Sequence, residues 1–118
     1  MRRSIFAFLV LTTTAHAQSV IFTYDQWERL STGLQEIYLA GAIDWFSFIS
    51  VAPAASTAVF YNDCLAKKQV TTHVIAEEMK LIIKLQPELR PKPATATLLA
   101  SLVKMCGTPA PEWPAPAR

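Results

Sequence analysis

Glycine is scarce in this chain, 3 residues in 118, so there is no glycine-rich loop to cradle a phosphate. Charge is also thin. Asp, Glu, Lys and Arg make up 17% of the residues, while 52% are hydrophobic, which excludes a chain disordered throughout. The formal charge of +2 excludes a strongly basic nucleic-acid binder. Cysteine occurs twice, at Cys64 and Cys106, and never as Cys-x-x-Cys, which argues against thiol–disulfide oxidoreductase chemistry. Two thiolates and one distant histidine are too few to hold zinc, and no EF-hand or phosphate-binding motif is present. The length gives room for one domain, and no internal repeat is visible.

What is there begins with a leader. Met1-Arg2-Arg3 is cationic, Ile5 to Leu11 is apolar, and Ala15-His16-Ala17 places small residues around one larger one. That order reads as a secretory signal peptide over 1–17, cleaved after Ala17, and its apolar run is too short for a permanent membrane span. Of the 11 basic residues two leave with the leader, so nine face the 9 acidic ones and the remaining chain is neutral. The pI near 8.7 therefore belongs to the precursor. His73 is the histidine that stays. The expected address is the periplasm or the exterior.

In an oxidising compartment an even cysteine count favours a disulfide, here Cys64 to Cys106, against two buried thiols or an intermolecular bridge. The loop spans 42 residues, for which the chain-entropy picture gives roughly 4 kcal/mol.

Hydrophobic periodicity predicts an all-α chain, a small bundle of four or five short helices over 18–107, followed by a proline-rich tail over 108–118. A short first helix is capped by Thr23 or Asp25, carries Trp27 and Leu30, and ends at Ser31-Thr32-Gly33. Leu34 to Val51 then reads as a central buried helix whose apolar face holds Leu34, Ile37, Tyr38, Gly41, Trp45 and Phe48. Glu36 and Asp44 argue against a transmembrane reading of it. Pro53 to Ser56 stops that helix, and the next segment, capped by Ser56 or Thr57 and running through Val59, Phe60 and Tyr61 to Cys64, Leu65 and Lys68, is ambiguous between helix and strand.

The clearest helix follows, to about Gln86, with Ile75, Met79 and Ile82 as its central stripe, widened by Val74, Leu81, Ile83 and Leu85. His73, Glu77, Lys80 and Lys84 gather on its polar side, and Glu78 falls inside the apolar arc, either as a rim residue or as a carboxylate held by a partner group. Prolines from Pro87 to Pro93 interrupt the chain. The last helix runs to Cys106 with Leu98, Leu102 and Met105 inward, Thr97, Ser101 and Lys104 pointing away, and Gly107 as its stop. In the tail, Trp113 is either a recognition anchor or part of a segment that lies back over the domain or is merely disordered.

Catalytic constellations are hard to assemble from these residues. His73 with Glu77 reads as a surface pair, and Asp44 with Glu78 would make an acid/base couple only beside a cleft. The chain is expected to be non-catalytic and to need no cofactor.

Taken in order, Tyr38-Leu39-Ala40-Gly41-Ala42-Ile43-Asp44, Cys64-Leu65, Leu85-Gln86-Pro87-Glu88-Leu89 and Met105-Cys106-Gly107 form a pattern. It resembles the type VI secretion amidase immunity proteins, the Rap/Tai-like small exported helical domains, over about Gln26 to Gly107. In that family a helix bearing Tyr-x-x-Gly-x-x-Asp precedes a cysteine, and an amphipathic helix runs into a Pro-Glu segment. A last helix ends at the partner cysteine. The resemblance implies structural roles for Tyr38, Gly41, Asp44, Pro87 and Glu88, with Gly41 permitting close helix approach and Asp44 bonding a neighbouring helix end. It also implies stoichiometric binding to a secreted peptidoglycan amidase. A homodimer through surplus apolar surface is a further expectation, with neither nucleic-acid binding nor stable membrane insertion. The alternative function is an acid-stress chaperone of the periplasm, also small, helical and held by one disulfide.

Overall fold

The computed structural model describes residues 22–48 and 54–110. The leader, the Pro53 stop and Trp113 lie outside them. The chain is all-α: α1 (Tyr24–Glu28), α2 (Thr32–Phe48), α3 (Ala54–Lys67), α4 (Thr72–Leu85) and α5 (Ala94–Cys106), with a 3₁₀ turn at Pro87–Leu89. The segment ambiguous between helix and strand is α3, which already starts at Ala54, so Ala54 to Ser56 form its first turn rather than part of the stop.

Five residues are too few to hold α1 as an isolated helix, so its neighbours hold it. Thr23 Oγ1 accepts from the Gln26 N–H at 3.3 Å while the Thr23 N–H donates to Gln26 Oε1 at 2.9 Å, closing a capping box. Tyr24 and Trp27 are fully buried. An isolated antiparallel bridge joins Thr23 to Pro93, with the Tyr24 N–H donating to the Lys92 carbonyl at 3.0 Å and the Ala94 N–H to the Phe22 carbonyl at 2.8 Å. Thus the start of α1 is tied to the start of α5. Gln35 ties its end: its Nε2 donates to the carbonyls of Glu28 at 2.9 Å and Leu30 at 3.1 Å, and its own carbonyl accepts from Trp27 Nε1 at 3.3 Å. A buried amide is tolerated because these bonds replace water.

Two expectations for α2 are corrected. The helix starts at Thr32, so Gly33 lies in its first turn and terminates nothing. The face buried in the core is Gln35 and Leu39, flanked by Ala42, Ile43 and Phe46, whereas Leu34, Ile37 and Trp45 are exposed. Apolar residues surround α2 on nearly every side, so the wheel could not choose which side faces inward. Tyr38 is half-buried and meets Phe22 edge-on with centroids 5.8 Å apart. The centre of the assembly is therefore α4, which packs on both α2 and α5.

Helix α4 buries its expected central stripe, Ile75, Met79 and Ile82, with Ile83, and Thr71 caps its first turn; the expected widening is corrected, because Val74, Leu81 and Leu85 are exposed. Helix α5 differs from expectation on one side. Thr97 and Ser101 do not point away; both are fully inaccessible, together with Ala94. Small side chains at these positions fit a close-packed helix contact. Ser101 satisfies its hydroxyl by donating to the Thr97 carbonyl at 2.9 Å.

The end of α3 and the end of α5 are joined three ways. Cys64 and Cys106 form the expected disulfide, with Cα atoms 6.0 Å apart. Lys68 Nζ donates to the Met105 carbonyl at 2.5 Å, and Tyr61 Oη donates to the Gly107 carbonyl at 3.3 Å. Both donors meet carbonyls at the C-terminal end of α5, where the Lys68 ammonium is further favoured by the helix dipole. Gly107 itself has φ of 82°, a conformation that suits glycine.

Candidate docking surface

The residues singled out from the sequence occupy three different places. Gly41 is exposed, and a Cβ there would meet nothing within 4 Å, so it does not serve close helix approach as expected. Asp44 is also exposed, and its carboxylate bonds no helix end among the described residues. Both corrections follow from α2 being turned: Gly41 and Asp44 face outward once Leu39 faces in, while Tyr38 stays half-buried. Pro87 opens the 3₁₀ turn and Glu88 follows it, both exposed. Cys64 and Cys106 meet.

The pairings among titratable groups also differ from those read off one helix. His73 Nδ1 lies 3.1 Å from Glu36 Oε1 of α2, and Glu77 Oε1 takes Lys80 Nζ at 2.6 Å instead. The hydrogen bond from Lys80 holds the Glu77 carboxyl below the usual carboxylate range. Glu78 is a held carboxylate, not a rim residue: its side chain is 17% exposed, and Oε1 sits 2.5 Å from Lys104 Nζ of α5. With Glu78 paired and Asp44 in solvent, nothing joins the two as an acid/base couple. Across the molecule, Arg90 Nη1 bonds Asp25 Oδ1 at 2.7 Å and Glu28 Oε2 at 2.8 Å. The guanidinium stacks over the Tyr24 ring at 5.6 Å. Those two carboxylates, Glu28 first, hold its pKa above its usual value. This clamp fastens the proline segment to α1.

No group of three or more His, Cys, Asp or Glu side chains is gathered to hold a metal ion among the described residues. Nor is any helix among them long and apolar enough to cross a membrane.

What the surface does offer is apolar. Along α4, Val74, Leu81 and Leu85 lie on one side with Glu78 between them, at successive spacings of four, three and four residues. Leu85 is 71% exposed. Glu77, Lys80 and Lys84 border the stripe. An apolar centre edged by charges is the anatomy of a protein interface. A second feature is a groove of about 420 Å³ between α2 and α5, with Ala42, Trp45 and Phe46 on one wall and Ala96, Leu99 and Leu102 on the other. Trp45 is 61% exposed.

Sequence reasoning missed the buried Gln35, the Arg90 clamp and the small-residue edge of α5. Only the last had a visible signal: Ala94, Thr97 and Ser101 recur at intervals of three and four. No protein-family model, no curated protein and no solved structure matches this chain.

Proposed function

We propose that the protein is an exported, non-catalytic binding domain that docks another protein through the exposed face of α4. The observation that carries this reading is the Val74–Leu81–Leu85 stripe with the Glu78–Lys104 pair set into it. Apolar side chains displayed at helical spacing around one partly exposed ion pair suit a partner that supplies a complementary apolar ridge. The resemblance of the motif order to amidase immunity proteins supplies the partner class. The protein then works in the periplasm by stoichiometric occlusion of a secreted peptidoglycan amidase, and needs no cofactor to do so.

The test mixes the processed protein with type VI amidase effectors and follows peptidoglycan cleavage. Inhibition should saturate at one equivalent. Leu81→Asp with Leu85→Asp should abolish it while leaving helicity intact, since both side chains are exposed. Amidase activity that is indifferent to excess protein would overturn the amidase assignment.

A second reading is favoured by a different observation. The Arg90 clamp to Asp25 and Glu28 and the Glu78–Lys104 pair each join separate elements. Opening of these joints would unmask apolar surface, the behaviour of an acid-stress chaperone. Client protection and dye binding at acid pH, absent at neutral pH, would select that reading over the first.

A further inference from the structure

The Cys64–Cys106 bond lies at the surface, and its surroundings suit chemistry as well as fastening. Both cysteines are half-buried, and together with Phe60, Asp63, Lys67 and Lys68 they line a recess of about 320 Å³. Lys67 and Lys68 follow Cys64 by three and four residues, the spacing that brings side chains to one face of a helix. Lys68 reaches across to α5, where its Nζ meets the Met105 carbonyl. Two ammonium groups against the one carboxylate of Asp63 leave the recess positive. The species that opens a disulfide is a thiolate, an anion. A positive recess over a half-buried disulfide attracts that reagent, and exposed disulfides are the exchangeable ones.

The position of the bond gives its opening a consequence. Cys106 is the last residue of α5, and Lys104 stands two residues before it. Lys104 Nζ is the partner of Glu78 Oε1, the ion pair set into the α4 stripe. Once the covalent tie is gone, the end of α5 keeps the Lys68 and Tyr61 hydrogen bonds, and water competes for both.

We propose that the Cys64–Cys106 disulfide is a site of thiol–disulfide exchange with an external dithiol, whose opening frees the end of α5 and with it Lys104 from Glu78. The protein is the substrate of this exchange and not its catalyst, in keeping with its lack of Cys-x-x-Cys. A thiolate of the dithiol attacks one protein sulfur; the S–S bond breaks, and the other cysteine leaves as a thiolate and takes up a proton. The second thiol of the reagent loses its proton, attacks the mixed disulfide and releases the remaining cysteine. The protein gains two electrons and two protons, and the dithiol becomes a disulfide. The effect on a partner rests on the α4 face being the docking surface; the exchange itself does not.

The experiment uses the full chain, processed and oxidised, with dithiothreitol as the dithiol. Opening is followed by mass after acid quenching, in buffer where the chain is folded. Its rate should rise in proportion to dithiothreitol. A rate that levels off at the rate of global unfolding means that the bond is reached only through the unfolded chain, and overturns the proposal. The charge of the recess is read with two monothiols, anionic 2-mercaptoethanesulfonate and cationic cysteamine, each normalised to its rate on the urea-unfolded chain. The anionic reagent should lead severalfold on the folded chain, and Lys67→Glu, a change at an exposed side chain, should abolish that lead. Equal normalised rates on the parent chain overturn it.

Hydrogen exchange then compares the oxidised and reduced chains. Amides of residues 104–107 should exchange roughly tenfold faster after reduction, while those of 75–83 stay protected. Unchanged protection at 104–107, or protection lost throughout the domain, overturns the release of α5. None of these readouts involves a partner. Where the protein inhibits an amidase, reduction should weaken that inhibition. A chain that opens as described and never inhibits an amidase refutes the amidase assignment and leaves the exchange site standing.

Discussion

Gln69 follows α3 with φ of 52°, the left-handed region that glycine normally fills. Its N–H donates to the Ala66 carbonyl at 3.1 Å, and the Val70 N–H reaches back to the Leu65 carbonyl at 2.9 Å. This is a Schellman stop with half-buried Val70 as its apolar clasp. Because the side chain is exposed and the backbone strained, Gln69→Gly should stabilise the fold by up to about 1 kcal/mol, measured by urea unfolding. The three tyrosines make a second statement at this scale. Burial raises the pKa of Tyr24, Tyr38 and Tyr61, with Glu28 pushing Tyr24 further. Folding therefore keeps these phenols neutral, and their contribution is complete below about pH 10 and is lost as pH climbs past it. Tyrosinate absorbance should rise together with loss of helicity. A smooth titration near the free phenol value in a still-helical protein would contradict the burial.

At the scale of elements, α4 and α5 were the legible helices and α2 was not. Ile75, Met79 and Ile82 recur at helical spacing against a charged back of Glu77, Lys80 and Lys84, so the wheel leaves one choice. Around α2, Leu34, Ile37, Trp45, Leu39 and Phe46 point in several directions. The side that wins is decided by tertiary contacts, chiefly Gln35 fastening the end of α1, and a single helix cannot report those. Gly41 and Asp44 went to solvent for that reason. Thr97 was misread because a hydroxyl counts as polar, although Thr97 and Ser101 line the tight contact where a larger side chain would not fit. Thr97 Oγ1 has no hydrogen-bond partner among the described residues. A buried hydroxyl so placed costs roughly 1–3 kcal/mol, so Thr97→Val should raise the unfolding midpoint in thermal and urea melts. A drop of comparable size would mean that the hydroxyl is bonded after all.

For the molecule as a whole, the covalent frame was legible and the surfaces were not. The even cysteine count points to oxidation, and the Cys64–Cys106 bond joins the ends of α3 and α5. A closed loop of 42 residues contributes roughly 4 kcal/mol, a large part of a small domain's net stability of about 5–15 kcal/mol. Reduction should therefore lower the urea midpoint strongly, and a Cys64→Ala, Cys106→Ala chain should reproduce the reduced protein. Which apolar residues stay outside was not readable. Val74, Leu81 and Leu85 carry the same chemistry as their buried neighbours, and only the packing of α2 and α5 leaves them exposed. The account rests on export followed by oxidation, because a binding domain of this size depends on its staple. Intact mass spectrometry of protein harvested from its native compartment tests this most directly. A chain beginning at Gln18, with both thiols joined and resistant to alkylation, is the expected species. A chain still beginning at Met1, with two alkylatable cysteines, would contradict the account.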